Sequence, residues 1–211
     1  MKPLPELLHN RLKLGLPGDS AHQKMMSYRR TKASDLRRDG IEYRESAVLC
    51  LLYPVKDEWN TVLIKRPEYI GAHSAQVSFP GGGREKHDLS IIQTALRETR
   101  EEIGVNEQDI TIIGNLTEIF IPPSKYLVQP VLGFMNQRPD FVPDYREVGA
   151  ILETPINWLL DENRIATKQI HIAQYNISIM APYYDIHSET VWGATAMMIS
   201  ELVQLIRTAE D

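Results

Sequence analysis

Cysteine is nearly absent. Cys50 stands alone among 211 residues, so no internal disulfide is available. Its apolar setting, SAVLCLLY, places it in the core as an inert thiol, which suits a reducing compartment. Long apolar runs are missing too. The longest, Ala47–Tyr53, falls far short of the ~20 residues a membrane span needs. The opening, MKPLPELLHNRL, lacks the apolar core and small-residue cleavage site of a secretion signal. The expected location is therefore cytoplasmic, without a membrane partner. Basic residues are not in excess: 23 Lys and Arg face 28 Asp and Glu, for a net charge of −5. A nucleic-acid partner calls for a basic face and is not expected. A phosphorylated small molecule remains compatible, provided local cations overcome the global repulsion.

What is present suits one globular domain with a short appendage. The chain is 43% apolar, and a chain of this length buries roughly 70% of its unfolded surface, so it folds without disulfide or metal. Residues 1–40 read as a helical N-terminal arm, followed by a main domain over 41–211. In the arm, Leu4, Leu7, Leu8 and Leu12 recur at helical spacing until Gly15 and Pro17 stop them. Asp19 or Ser20 is placed to cap a second helix through AHQKMMSYRR. Beyond the arm, ESAVLCLLYP and NTVLIKRP flank VKDEW as a hairpin. Further strands are expected at DITIIGNLTEIFI, YLVQPVLGFM, EVGAILE and KQIHIAQYNISIM. TPINWLLD reads as a short helix opened by Pro155. GATAMMISELVQLIRTAED closes the chain as an amphipathic helix with Ala196, Ile199, Leu202, Val203 and Ile206 on one face. No repeat and no low-complexity linker interrupts this order, which predicts an α/β or α+β sandwich, a mixed sheet between helices.

The informative stretch is FPGGGREKHDLSIIQTALRETREEIGV, Phe79 to Val105. It predicts a helix over Leu89–Ile103, capped by Asp88 and ended by Gly104, with Leu89, Ile92, Leu96, Thr99 and Ile103 as its buried stripe. Glu98, Glu101 and Glu102 are neighbours on another face, where like charges cost roughly 0.2–0.5 kcal/mol per pair. They also sit near the helix C-terminus, which disfavours anions, although Arg97 and Arg100 offset part of this. Read alone, RETREE is a solvated, salt-bridged face. The PGGG turn beside it changes that reading. Glycines let backbone groups approach a ligand, and a hard dication binds through one or two carboxylates plus substrate phosphates. A cation among the glutamates removes their repulsion and grips a diphosphate.

This segment resembles the Nudix box, G-x5-E-x7-R-E-U-x-E-E-x-G-U, at Gly82, Arg97, Glu98, Glu101, Glu102, Gly104 and Val105. It departs from the box in carrying Asp88 at the first acidic position, with eight residues rather than seven between it and Arg97, and Thr99 where an aliphatic is usual. Both the spacing and the Asp are similar to the coenzyme A pyrophosphatase branch. That branch's upstream signature is kept at Arg66 and at Phe79 to Gly82, and is replaced at Pro67, Gly71 and Ala75. YLVQPVLGF and VWGATAMMISEL are similar to that branch as well, so the resemblance runs from about Ser46 to Leu205.

The resemblance implies a Nudix fold and hydrolysis of a diphosphate bond. It implies Mg²⁺ or Mn²⁺ held by Glu98, Glu102, Glu101 and the Gly82 carbonyl. Glu98, Glu101 and Glu147 are the candidate catalytic acids, and Glu118 competes with Glu147. Arg97 orients the carboxylates. Lys65, Arg66, Gly81 and Gly82 are the candidate substrate contacts, since an Arg fork suits phosphate. Trp192 and Tyr126 are placed either to line the pocket or to pack in the core, and His73 serves a surface or hydrogen-bonded role. The implied substrate is coenzyme A or a thioester. The alternatives are ADP-ribose or an NADH-type dinucleotide, a non-catalytic nucleotide sensor, and an interaction protein with a merely acidic surface. A second copy of the chain, as a homodimer, is left open.

Overall fold

The computed structural model describes residues 4–28, 31–67, 76–172 and 175–209. The hairpin is present: strand β1 (Arg44–Val55) pairs antiparallel with β2 (Glu58–Lys65), and Lys56 takes the left-handed conformation in the turn. Next come β3 (Val77–Ser78), β4 (Gly81–Gly83), helix α4 (Ile91–Ile103), β5 (Thr111–Asn115), β6 (Ile119–Ile121), β7 (Tyr126–Phe134) and β8 (Ala150–Pro155). Among the described residues these strands form one eight-stranded sheet with a spine in the order β3-β2-β1-β7-β5. β1 and β7 run parallel, and every other pairing is antiparallel. The glycines of PGGG are therefore not a free turn. They form a short strand paired with β1, Val48 opposite Gly81 and Ser46 opposite Gly83.

β1 reads as an unbroken apolar run because both its faces are covered. Ala47, Leu49, Leu51 and Tyr53 pack with Ala95 and Ile103 of α4. Cys50 and Leu52 point the other way, into a core shared with the closing helix α6 (Gly193–Ala209). The mixed sheet thus lies between α4 and α6. Burial raises the Cys50 thiol pKa far above its usual value, so it stays protonated. Short helix α5 (Ile156–Leu160) follows Pro155 as expected. A separate three-stranded sheet holds β9 (Ile165–Ile172), β10 (Ile177–Ile186) and β11 (Glu189–Trp192) in the order β11-β10-β9.

α6 is more enclosed than an amphipathic helix. Besides the expected face, Met197, Met198, Ser200, Glu201 and Leu205 are buried. The extra cover is the N-terminal segment: α1 (Leu4–Leu12), α2 (Asp19–His22) and α3 (Ala33–Arg38). Leu4, Leu8 and Met25 join the α6 core. The second arm helix is shorter than the sequence suggested. Asp19 lies inside it, and Gly18 occupies the cap position without a side-chain bond. Glu201, fully buried, also ties the arm to α6. It accepts from the Gly18 N–H at 3.1 Å, the Thr117 N–H at 3.0 Å and the Thr117 hydroxyl at 2.6 Å, and its Oε2 lies 3.1 Å from His22 Nε2. Burial alone raises its pKa, but these bonds outweigh burial and hold it below the ordinary value. Among the described residues no helix is long and apolar enough to cross a membrane.

Candidate active site

α4 begins two residues later than the sequence suggested. Ser90, not Asp88, is its N-cap, and its hydroxyl accepts from the Gln93 N–H at 3.2 Å. Leu89, expected in the buried stripe, stands outside the helix at 89% exposure. Gly104 ends the helix in the left-handed conformation at φ 72°. Asp88 is buried for a different reason. It grips Arg97 with both oxygens, Nε to Oδ1 at 2.9 Å and NH2 to Oδ2 at 3.0 Å, and also accepts from the Thr94 hydroxyl at 2.9 Å. Those bonds, Arg97's first, hold its pKa well below the usual carboxylate range.

Arg97 is itself buried and spends its remaining donors on the site. NH1 donates to Glu98 Oε1 at 2.8 Å and to Glu101 Oε2 at 3.0 Å, and NH2 donates to the Gly83 carbonyl at 3.0 Å. The three glutamates then part company. Glu102 is 1% exposed, and its Oε2 accepts from the Gly81 N–H at 2.7 Å. The Glu98 side chain is mostly buried against Gly82, where a Cβ would fall 2.5 Å from its carboxyl carbon. Only glycine leaves room for that carboxylate. Glu101 is half exposed and turns to Arg97 and Arg100.

Burial raises the Glu98 pKa, with Glu101 and Glu147 adding to the effect and Arg97 opposing it. Burial likewise pushes Glu102 up to about 7; the Gly81 N–H and Arg66 oppose this, and Glu98 and Glu147 add to it. Glu147 is exposed on the loop before β8, so the structure brings Glu98, Glu102 and Glu147 within one another's field. Arg66 reaches toward the same group, its NH2 3.9 Å from Glu102 Oε1. Lys65 is held elsewhere, donating to Glu189 at 2.7 Å. Glu118 is removed from the site by a two-pronged bond from Arg37. His73, Gly71 and Ala75 lie outside the described residues.

Gly81–Gly83 floor a cleft of about 920 Å³. Arg66, Ser46, Val77 and Tyr126 line it, and so do β9 and β11 with Trp192. Tyr126 and Trp192 are both half-buried cleft residues. The β9–β11 wall escaped the sequence reading, because nothing in KQIHIAQYNISIM says which surface a small sheet will face.

The NUDIX domain profile matches residues 43–143. Over 163 residues the chain is 30% identical to the Nudix hydrolase NudL of Yersinia pestis, covering 77% of this chain and 80% of that protein. The chain is a Nudix hydrolase. NudL of Yersinia pseudotuberculosis matches to the same extent. The Nudix hydrolase RenU of M. smegmatis superposes with a TM-score of 0.55 at 15% identity, over 78% of this chain and 86% of that one. A MutT/nudix family protein of Enterococcus faecalis gives 0.54 at 16% identity, over 90% and 75%. These two likenesses support the Nudix fold.

Nudix hydrolases generally use divalent metal ions, and the residues present suit one. Among the described residues no three acidic, histidine or cysteine side chains gather tightly enough to hold an ion alone. Two confined carboxylates, Glu98 and Glu102, instead pack against the Gly81–Gly83 strand beside an open cleft, which suits a cation shared with substrate phosphates. A pH prediction follows. Glu102 binds its proton more tightly folded than unfolded, so its contribution to stability is fully present below the unfolded pKa near 4.5 and is lost as pH rises through about 7. Without added metal, wild type should lose stability relative to Glu102→Gln across that window, by up to about 3 kcal/mol. Urea unfolding of both proteins from pH 4.5 to 7.5 measures this, and parallel curves would contradict it.

Proposed function

We propose that residues 41–211 form a metal-dependent hydrolase domain that cuts the diphosphate bond of coenzyme A or a derivative, releasing 4′-phosphopantetheine and 3′-phosphoadenosine 5′-phosphate, and that residues 1–40 buttress it. The observation that carries this reading is the pair of confined carboxylates, Glu98 and Glu102, touching the glycine floor of a cleft of about 920 Å³. A volume near the top of the usual small-molecule range of roughly 300–1,000 Å³ suits a diphosphate with a long arm on each side. The kept Arg66 and FPGG signature supports coenzyme A.

Glu98 and Glu102 would hold Mg²⁺ or Mn²⁺, with the Gly82 carbonyl as a further oxygen. The bound cation would neutralise phosphate charge and lower the pKa of an attacking water. Arg66, in the cleft wall beside Glu102, meets a phosphate with its planar fork. Lys65 joins it only by leaving Glu189. Glu147, exposed and coupled to both buried carboxylates, takes the proton from the water. Glu101 shares Arg97 with Glu98 and so fixes the guanidinium that positions Glu98. The bond from the attacked phosphorus to the bridging oxygen breaks as the water oxygen attaches, and both products leave through the cleft.

With Mg²⁺ or Mn²⁺, coenzyme A should be hydrolysed with a kcat/KM at least about tenfold above ADP-ribose and NADH. Chromatography should show 3′-phosphoadenosine 5′-phosphate among the products. Preference for ADP-ribose or NADH would overturn the substrate. Tight binding without turnover of any of the three would make the chain a sensor.

A further inference from the structure

The loop between β7 and β8 closes on the end of α4. The Val142 N–H donates to the Ile103 carbonyl and the Asp144 N–H to the Glu102 carbonyl, both at 2.9 Å. These carbonyls belong to the last helical turn, which a helix leaves without partners of its own. Pro143, between the two donors, has no N–H to satisfy. The approach is close. A Cβ on Gly104 would fall 2.7 Å from that of Val142, so only glycine admits the loop here.

One turn then leads to Glu147. The Asp144 carbonyl accepts from the Glu147 N–H at 2.9 Å and from the Val148 N–H at 2.8 Å. Asp144 is thus bonded through its main chain to Glu102 on one side and to Glu147 on the other. Its carboxylate accepts from the Arg146 N–H at 3.0 Å, an acid side chain closing its own turn. It also accepts from Arg146 Nε at 3.0 Å, so the guanidinium next to Glu147 in sequence is spent on Asp144. Beyond the turn the chain is pinned again. Val148 is buried in the core shared with Ala95 and Ile103 of α4, and the Gly149 N–H donates to the Lys65 carbonyl at 2.8 Å. Glu147 itself is exposed, so its place relative to the confined carboxylates is set by the turn that carries it.

Resting on the reading of Glu147 as the group that takes the proton from water, we infer that Asp144 is a positioning residue, whose carboxylate locks the 144–148 turn and so holds Glu147 in place against Glu98 and Glu102. It acts through Glu147 and touches no reacting atom. A loosened turn lets the base drift, and a displacement of about 1 Å costs up to about 100-fold in rate.

The test measures kcat and KM with saturating Mg²⁺ on whichever of coenzyme A, ADP-ribose and NADH wild type cuts fastest. Asp144→Ala should lower kcat by about 10- to 100-fold and change KM less than about twofold. Asparagine keeps an oxygen for the Arg146 N–H, so Asp144→Asn should recover most of the rate. Asp144→Glu keeps the charge for Arg146 but is too long to close its own turn, so it should fold as wild type does and lose rate as alanine does. Urea unfolding checks each variant. Glu147→Gln should cost about 100-fold or more. Adding Asp144→Ala to it should cost little further, because a positioning residue has nothing to hold once its base is gone. Rates within about twofold of wild type in folded Asp144→Ala or Asp144→Glu, or a loss that multiplies undiminished with that of Glu147→Gln, would overturn the positioning role and leave Glu147 as the base. A Glu147→Gln protein as fast as wild type would remove the base and the positioning together, as would turnover of none of the three substrates.

Discussion

Replacing Glu102 with glutamine should lower kcat by roughly three orders of magnitude. Glutamine keeps the shape but not the charge. Its amide must present either oxygen or nitrogen to the Gly81 N–H, and the anion proposed to help confine a cation is gone. The fold should not suffer. Burial already pushes this carboxyl up to about 7, so the uncharged form is the one the folded chain prefers. Activity should collapse while stability at pH 8 holds or rises, a combination that a merely structural glutamate does not produce. Glu98→Gln should act in the same direction, since its carboxylate occupies the space that Gly82 leaves open. Product chromatography and magnesium titration by calorimetry check both variants. Turnover within a few-fold of wild type would remove the two glutamates from the site.

Arg97→Met should cost both stability and rate. The guanidinium joins Asp88, Glu98, Glu101 and the Gly83 carbonyl. Removing it strands Asp88, 4% exposed, without its counter-charge. Breaking a buried pair from one side typically costs about 3–5 kcal/mol, measurable by urea unfolding. Loss of the group that orients Glu98 should lower metal affinity or rate by a further factor of about 10–100. Arg97→Lys separates the two effects. A lysine restores charge beside Asp88 but lacks the fork that reaches the glutamates at the same time, so stability should recover more than activity. Full recovery of activity would show that orientation plays no part.

The carboxylates were legible in the sequence because helical spacing alone makes Glu98, Glu101 and Glu102 neighbours. The strands around Val48, Val62 and Val131 were legible from short apolar runs between breakers. Asp88 was not. An acid just before a helix serves equally as a cap or as a buried counter-ion, and Ser90 decides the matter by taking the cap. Nor did the three neighbouring glutamates reveal that Glu102 is sealed, Glu98 mostly buried and Glu101 half exposed, since that depends on β4 lying against α4. Glu201 is the extreme case. In an apolar helix a lone acid reads as solvated, and its partner His22 lies 179 positions away. The strand Glu189–Trp192 went unseen because it is short and only its pairing with β10 defines it.

The bonds around Glu201 also bear on how the chain is made. Synthesis delivers the first helices long before residue 201 leaves the ribosome, so Leu4, Leu8 and Met25 have no final berth while most of the sheet is still emerging. Helices α1 and α2 must wait for α6, more than 150 residues further along. Until α6 is made, the nascent chain carries these apolar helices unsheltered, and a chaperone that recognises such segments has its longest opportunity there.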